Sequence, residues 1–197
     1  MKPFILYDTE FTAWPGSQES NWGNEGEHKE IIQLAAIKVA YEDNELRLLS
    51  SFNVLVKPTI NPQLSDYIKS LTGIEQSIVD DHGVDFESCA QQFFEFNDRG
   101  RIRCIAWGTD EEVLQINYGI NHLNWDYPKS TFADLKRMMF EYGLDYRHKN
   151  SGSLAEMIGV KLDGHVHNAL YDVKSMCVFL NDMIQSEKIP IGFLKAD

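Results

Sequence analysis

FILYDTEFTAW, residues 4–14, begins with an apolar run and then places two acidic residues, Asp8 and Glu10, one residue apart. The apolar run predicts a buried strand over residues 3–8. Because strand side chains alternate with a period of two, both carboxylates can point to one face at the carboxyl end of this strand. Burying two like charges is costly, so this position requires something that compensates for their repulsion.

The chain after this strand predicts two more strands, followed by alternating strands and helices. Residues 30–42 and 46–58 predict a hairpin that turns at Asp43-Asn44. Helices are predicted from Asn61-Pro62, over 84–96, from near Asp110 and over 168–185. A strand is predicted over 101–108, and a short strand that passes into a helix around 130–143. Capping boxes at Thr109/Glu112 and Ser153/Glu156 mark two helix starts. This order indicates a layered α/β domain with a mixed sheet.

Length and composition predict a globular protein. With 197 residues, of which 43% are hydrophobic, the chain suits one domain spanning 1–197. No apolar run approaches the roughly 20 residues that span a bilayer, so we expect no membrane partner. Three scattered cysteines without a CxxC pair favour a reduced, cytoplasmic setting.

The net charge of −12 argues against a broad nucleic-acid-binding surface, because such surfaces are usually basic. It leaves room for a small site that holds a few phosphates through metal ions. The charge mildly favours short substrates, because long polyanions are repelled.

Two further acidic residues have positions that can meet the first pair. Asp110 follows the strand at 101–108, and Asp172 lies among inward-facing residues of the last helix. Each pair of carboxylates at about 4 Å costs on the order of 4 kcal/mol, so a cluster of four needs cations. Hard oxygen ligands select Mg²⁺ or Mn²⁺. Alternatively, Asp110 is only a favourable charge at a helix N-terminus and Asp172 a solvated helix residue.

A histidine precedes the last helix in GHVHNALYD, residues 164–172. His167 and Asp172 are five residues apart, which on a helix would place them on different faces. His167 must therefore lie in the loop before the helix if both are to reach one site. Its imidazole is suited to accept a proton from an attacking water. On these grounds alone His165 is a competing candidate.

The ordered motifs resemble the DEDDh 3′–5′ exonucleases of the ribonuclease H-like superfamily. They are Asp8-Thr9-Glu10, a Trp-Gly pair before Asp110, and the HxAxxD motif that begins at His167 and ends at Asp172. Segments 53–79 and 132–140 resemble the branch that contains histone-mRNA and small-RNA 3′-end exonucleases. The resemblance runs over about residues 4–185.

The resemblance implies a ribonuclease H-like three-layer α/β fold, with a mixed five-stranded sheet flanked by helices. It implies a 3′–5′ exonuclease that hydrolyses single-stranded nucleic acid, RNA favoured over DNA, to nucleoside 5′-monophosphates. Asp8 would bridge two Mg²⁺ ions, for which Mn²⁺ can substitute; Glu10 and Asp172 would help to hold the first. Asp110 would hold the second ion through water, and His167 would act as the general base.

The resemblance also implies a pocket for the terminal nucleotide. Phe11 and Thr12 would lie beside its sugar and phosphate, and LTGI, residues 71–74, would pack against terminal bases. Trp14 either stacks on a base or fills an edge of the core. The predicted substrate-binding residues are Phe11, Thr12, Trp14, Leu71, Thr72 and Ile74. For Leu71 and Ile74 the alternative is ordinary packing around a glycine C-cap. The basic run Arg147-His148-Lys149 either touches phosphates or is solvated surface.

Two other functions compete with a nuclease: a binding module that has lost its chemistry, and a metal hydrolase acting on small nucleotides. The sequence leaves open the choice between RNA and DNA 3′ ends and the role of the loop at 12–29. It also leaves the oligomeric state open, with a homodimer as one option.

Overall fold

One mixed sheet of five strands organises the structure, which is a computed structural model that describes residues 2–194. The strands are β1 (Phe4–Phe11), β2 (Ile31–Glu42), β3 (Glu45–Leu55), β4 (Cys104–Ala106) and β5 (Phe132–Asp134). Their order across the sheet is β3-β2-β1-β4-β5. β1 pairs antiparallel with β2 and parallel with β4. The predicted mixed five-stranded sheet is confirmed, and its central strand is the one that carries Asp8 and Glu10.

Helices connect and cover the strands. They are α1 (Ser17–Ser20), α2 (Asp66–Thr72), α3 (Gln76–His82), α4 (Phe86–Phe96), α5 (Asp110–Ile120), α6 (Leu135–Glu141), α7 (Leu154–Met157) and α8 (Ala169–Gln185). Short 3₁₀ turns occupy Ser151–Ser153 and Ile191–Leu194. Across residues 2–194, no helix combines the length and the apolar character needed to cross a membrane.

The two faces of β1 are buried against different helices. Phe4 and Leu6 pack in a cluster with Val173, Met176 and other residues of α8. Ile5 and Tyr7 point to the opposite face and join a second cluster with residues of α4 and α5. Because side chains alternate along a strand, Asp8 and Glu10 continue the α8 face, and Thr9 continues the α5 face.

A bulge interrupts the pairing of β1 with β2 beside the acidic residues. Glu10 lies opposite Gln33, whereas Phe11 lies opposite Ile31, so Ile32 is an extra residue on β2. Strict alternation from Gln33 would place Ile31 on the α8 face of the sheet. Ile31 instead packs in the cluster on the other face, as expected where a bulge redirects the side chains of a strand.

The predicted helix start at Asn61-Pro62 is wrong, because α2 begins at Asp66 with Ser65 as its N-cap. A buried carboxylate, that of Glu30, accepts the backbone N–H groups of Thr59, Ile60 and Asn61 at 2.6, 2.8 and 2.6 Å. These bonds hold the segment as a loop. The helix therefore starts only after this contact ends.

Two other local predictions need correction. The strand predicted over 101–108 is limited to Cys104–Ala106, which is the length over which β5 pairs with it. In the described residues neither capping box forms: the Thr109 and Ser153 side chains make no capping bond, and Asn150 caps the turn before α7. The predicted helices over 84–96, from Asp110 and over 168–185 are confirmed within two residues.

Candidate active site

Asp8 and Glu10 lie where the α8 face of the sheet changes from apolar to acidic. Both are buried, with 6% and 8% of their surface exposed. Ala35 lies opposite Asp8 on the neighbouring strand. Its side chain is apolar, so it offers the carboxylate no hydrogen bond.

Asp110 reaches the same place from the other side of the sheet. It is the first residue of α5, and its Oδ1 accepts the Thr9 backbone N–H at 3.0 Å and the Thr9 hydroxyl at 2.6 Å. Thr9 is the residue between Asp8 and Glu10. The two bonds therefore hold the start of α5 against the end of β1.

Asp172 comes from the first turn of α8 and is held by the turn at 151–153. Its Oδ2 accepts the Ser151 hydroxyl at 2.8 Å. A Cβ atom on Gly152 would come within 2.4 Å of the Asp172 Oδ1, so the backbone of this turn lies directly against the carboxylate. Ser151 also partly offsets the rise in the pKa of Asp8, so the turn acts on two of the four acids.

His167 lies in the loop before α8, as the spacing predicted, with a left-handed backbone conformation (φ 66°). The backbone N–H of His167 donates to Asp172 Oδ1 at 3.2 Å. One ligand atom each of His167, Glu10 and Asp172 lies within 4.8 Å of the others. His165, the competing candidate, is exposed and, within the described part of the chain, is not part of the cavity wall.

Burial and neighbouring charges disfavour the ionised forms of the four acids, and a bound cation would relieve this cost. Burial first, and then the charges of Asp110, Glu10 and Asp172, raise the pKa of Asp8 well above its usual range. Burial and the Asp172 charge raise the pKa of Glu10 in the same way. Burial raises the pKa of Asp110 and of Asp172 to about 6 despite their hydrogen bonds. For His167, burial and the nearby His165 lower the pKa.

These residues share one cavity of about 240 Å³. All five predicted catalytic residues line it, as do three of the predicted substrate-binding residues, Phe11, Trp14 and Leu71. A larger cavity of about 390 Å³ lies beside α4 and the segment after α5. Among the described residues, none of the five predicted catalytic ones lines that second cavity.

The structure does not bring the other three predicted substrate-binding side chains to this cavity. The Thr12 hydroxyl donates to the His28 carbonyl, and the Thr72 hydroxyl donates to the Ile68 carbonyl. Ile74 packs in an apolar cluster just after Gly73, the left-handed C-cap of α2. Ile74 therefore packs as an ordinary residue at the end of a helix, and its side chain does not reach the cavity.

The basic run is partly engaged within the protein. Arg147 donates to the Asp145 carboxylate at 3.0 and 2.9 Å and stacks over the Phe140 ring at 3.6 Å. The positive charge of Arg147 is therefore already paired with Asp145 within the protein.

Sequence reasoning missed several residues of this site. Tyr67, Gln18 and Ser151 line the cavity, and Gln33 accepts the Ala169 N–H behind it. Ser151 begins a turn of three small residues, which is a weak signal for a close approach of the backbone. For Gln33 no local signal exists, because its partner is 136 positions away.

The donor set fits divalent metal ions. Four carboxylates and an imidazole converge, and burial, together with the mutual repulsion at Asp8 and Glu10, raises the pKa of all four acids. Oxygen-rich sites of this kind select hard cations.

Comparisons with known proteins find similar sequences over most of the chain. A family model described as Exonuclease (RNase_T) matches residues 5–178. Human ERI1 exoribonuclease 2 is 26% identical over 207 residues, which cover 92% of this chain and 28% of that protein. The 3′-5′ exonuclease eri1 of Schizosaccharomyces pombe is 39% identical over 186 residues, which cover 78% of this chain and 60% of that protein. The chain spans less than two thirds of either relative.

Solved structures share the fold. The nuclease domain of 3′hExo, a DEDDh family member bound to rAMP, has a TM-score of 0.73 at 22% identity, covering 93% of this chain and 92% of that one. Escherichia coli exonuclease I in complex with a dA16 oligonucleotide has a TM-score of 0.68 at 15% identity, covering 95% of this chain and 42% of that one.

Proposed function

This chain belongs to the DEDDh 3′–5′ exonuclease family, and on that premise we propose that it removes nucleotides from the 3′ end of single-stranded nucleic acid. The observation that carries the proposal is the convergence of four acids and one histidine, distant in the sequence, on one cavity. The products would be nucleoside 5′-monophosphates.

Asp8, Glu10, Asp110 and Asp172 would hold two divalent ions, Mg²⁺ by preference and Mn²⁺ as a substitute. When bound, such ions lower the pKa of a water and stabilise charge on the attacking and leaving oxygens. The proposal is supported by the raised pKa values of the acids, since cations would relieve their mutual repulsion.

His167 would act as the general base. Its lowered pKa keeps the imidazole neutral, and so able to accept a proton, at neutral pH. The bond from its backbone N–H to Asp172 ties the loop that carries the ring to one of the acids.

The terminal nucleotide would lie between Phe11, Trp14 and Leu71, which line the cavity. Stacking of a base on an aromatic side chain contributes about 1–3 kcal/mol in proteins that bind single strands. We favour RNA over DNA because a relative is named an exoribonuclease. The cytoplasmic location, the single-domain organisation over 1–197 and the oligomeric state stay predictions.

The test is product analysis on 5′-labelled single-stranded RNA and DNA of matched sequence, with Mg²⁺, Mn²⁺ or EDTA. We expect a ladder that shortens from the 3′ end, release of 5′-monophosphates, and no reaction in EDTA. Asp8→Asn should abolish the reaction, whereas Asp81→Asn, an exposed aspartate of α3, should not. Cleavage within the strand, or equal activity of Asp8→Asn and the wild type, would contradict the proposal.

A further inference from the structure

We propose that Gln33 is a positioning residue of the active site, which fixes the first turn of α8, and with it His167 and Asp172, to the sheet beside Glu10. The inference rests on the proposed function for its consequence in catalysis. It concerns how the site is held in place, not which groups react.

Gln33 occupies a buried position next to the acids. It is 2% exposed and lies directly opposite Glu10 in the pairing of β1 with β2. The neighbouring residues on its face of β2, such as Ile37 and Val39, are apolar and pack against α8. A buried amide at this point of an otherwise apolar face needs partners for its polar atoms.

Those partners connect three elements. Gln33 Oε1 accepts the backbone N–H of Ala169, the first residue of α8, at 2.9 Å. Gln33 Nε2 donates to Asn53 Oδ1 on β3, also at 2.9 Å. The orientation of the amide is determined, because the Ala169 N–H can only donate and must therefore face the oxygen.

The N-terminus of α8 depends on this contact. The first N–H groups of a helix have no partner inside the helix. Within the described residues, the N-cap Asn168 makes no side-chain capping bond, and Ala169 is fully buried. Gln33 thus serves as the cap from a neighbouring strand.

Ala169 lies between the two groups that the site needs from this region. His167 is two residues before it, and Asp172 is three residues after it. A shift of the first turn would move both side chains relative to Glu10 on β1. A neutral amide at position 33 also suits the site, because a glutamate would accept the same N–H but would add a fifth carboxylate.

The test compares Gln33→Met, which keeps the size but removes both hydrogen bonds, with Asn181→Ala. Asn181 is a matched control on the same helix: its Oδ1 accepts the Leu46 backbone N–H at 2.8 Å, far from the acids. For each variant we would measure kcat and KM, Mn²⁺ affinity by calorimetry, thermal stability, and hydrogen exchange of the Ala169 amide by NMR.

We expect Gln33→Met to lower kcat and Mn²⁺ affinity by about 10–100-fold, as losses of partners behind metal ligands do. KM should stay within about twofold, because the nucleotide contacts are unchanged. Exchange of the Ala169 amide should accelerate. Asn181→Ala should lower thermal stability to a similar extent with unchanged kcat and Mn²⁺ affinity. Equal losses in both variants, or wild-type kcat and Mn²⁺ affinity in Gln33→Met, would overturn the inference.

Substitution of Asn53 separates positioning from packing. Asn53→Asp keeps an acceptor for Gln33 and should retain kcat, whereas Asn53→Leu should lower it. If the wild type proves to have no nuclease activity, the proposed function fails. Mn²⁺ affinity and Ala169 exchange then still decide the role of Gln33, since a positioning residue must change both.

Discussion

Thr9 and Asp110 are 101 positions apart in the chain, yet Thr9 donates both its backbone N–H and its hydroxyl to one carboxylate oxygen of Asp110. The side chain of Thr9 points to the α5 face of the sheet, while its neighbours Asp8 and Glu10 point to the α8 face. A single threonine therefore joins an acid that arrives from one side of the sheet to two acids that lie on the other.

The first prediction concerns this threonine. Thr9→Val keeps the shape and the backbone bond but removes the hydroxyl bond to Asp110. We expect about 10–100-fold lower kcat and weaker Mn²⁺ binding, with recovery in Thr9→Ser. Calorimetry and steady-state kinetics measure both effects. Full activity of Thr9→Val would show that the backbone bond alone places Asp110.

The second prediction is a pH dependence of stability without metal. Folding raises the pKa of Asp110 and Asp172 from 3.8 to about 6. The stability from their protonated forms is present below pH 3.8 and is lost as the pH rises through about 6. In EDTA we expect a lower melting temperature at about pH 7.5 than at about pH 5. The lowered pKa of His167 opposes this trend below about pH 6.5, where the unfolded state binds a proton more readily than the folded state.

Differential scanning fluorimetry measures this dependence, with Mn²⁺ as the second arm. The ion should raise the melting temperature more at the higher pH, because the acids are then ionised. Asp8→Asn, which removes one repelling charge, should melt higher than the wild type in EDTA at neutral pH. A stability that rises with pH over this range would contradict the cluster of raised pKa values.

The third prediction separates the two histidines. His167→Ala should keep Mn²⁺ binding and lower kcat by about 10²–10⁴-fold, the usual contribution of a general base. His165→Ala, in an exposed position of the same loop, should stay close to wild type. Single-turnover kinetics on a labelled strand measures the chemical step. A larger loss in His165→Ala than in His167→Ala would reverse the assignment.

The fourth prediction tests the turn behind Asp172. Gly152→Ala would place a methyl group 2.4 Å from Asp172 Oδ1 and 2.7 Å from a methyl carbon of Val166, so the carboxylate must move. We expect weaker Mn²⁺ binding and lower stability. Gly119→Ala is the matched control, because nothing lies within 4 Å of its new methyl group, and alanine there should stabilise α5 by about 0.5–1 kcal/mol. Unchanged metal affinity in Gly152→Ala would mean that Asp172 does not need this position.

The fifth prediction concerns the nucleotide. Trp14→Ala removes an aromatic side chain that lines the cavity and should lower kcat/KM by about 5–150-fold, equivalent to 1–3 kcal/mol of base stacking. Leu71→Ala removes only an apolar contact from the same cavity and should have a smaller effect. Thr72→Val should have little effect on kcat/KM, because the Thr72 hydroxyl is bonded inside α2. Competition by 5′-monophosphates measures binding directly. A dominant effect of Thr72→Val would restore it as a substrate contact.

Much of the site could be predicted from sequence because its elements have strong local signals. The apolar run before Asp8 predicts a buried strand, and the spacing of His167 and Asp172 predicts a loop followed by a helix if both residues reach one site. The choice of His167 over His165 depends on the resemblance of the HxAxxD motif to the family. These signals depend on periodicity within a few residues, which the sequence shows directly.

The failures have long-range causes. Asn61-Pro62 has the local chemistry of a helix start, but the Glu30 carboxylate takes the backbone N–H groups there. Gln33 could not be recognised because the N–H it accepts belongs to a distant helix. Thr12 and Thr72 lie close to the site in sequence, yet their hydroxyls face inward. A tertiary contact decides each case except that of Thr72, whose hydroxyl bonds to Ile68 one turn earlier in α2.

The extra residue in β2 bears on how this protein can change length during evolution. Deletion of Ile32 would remove the bulge and leave Ile31 directly before Gln33, where regular alternation keeps its side chain on the face away from the carboxylates. Deletion of Ala35, in the regular part of the strand, would instead turn Leu34 to the α8 face opposite Asp8, although every acid and the histidine remained. The strand can therefore change length at the bulge without crowding the reaction centre, but not beside the acids.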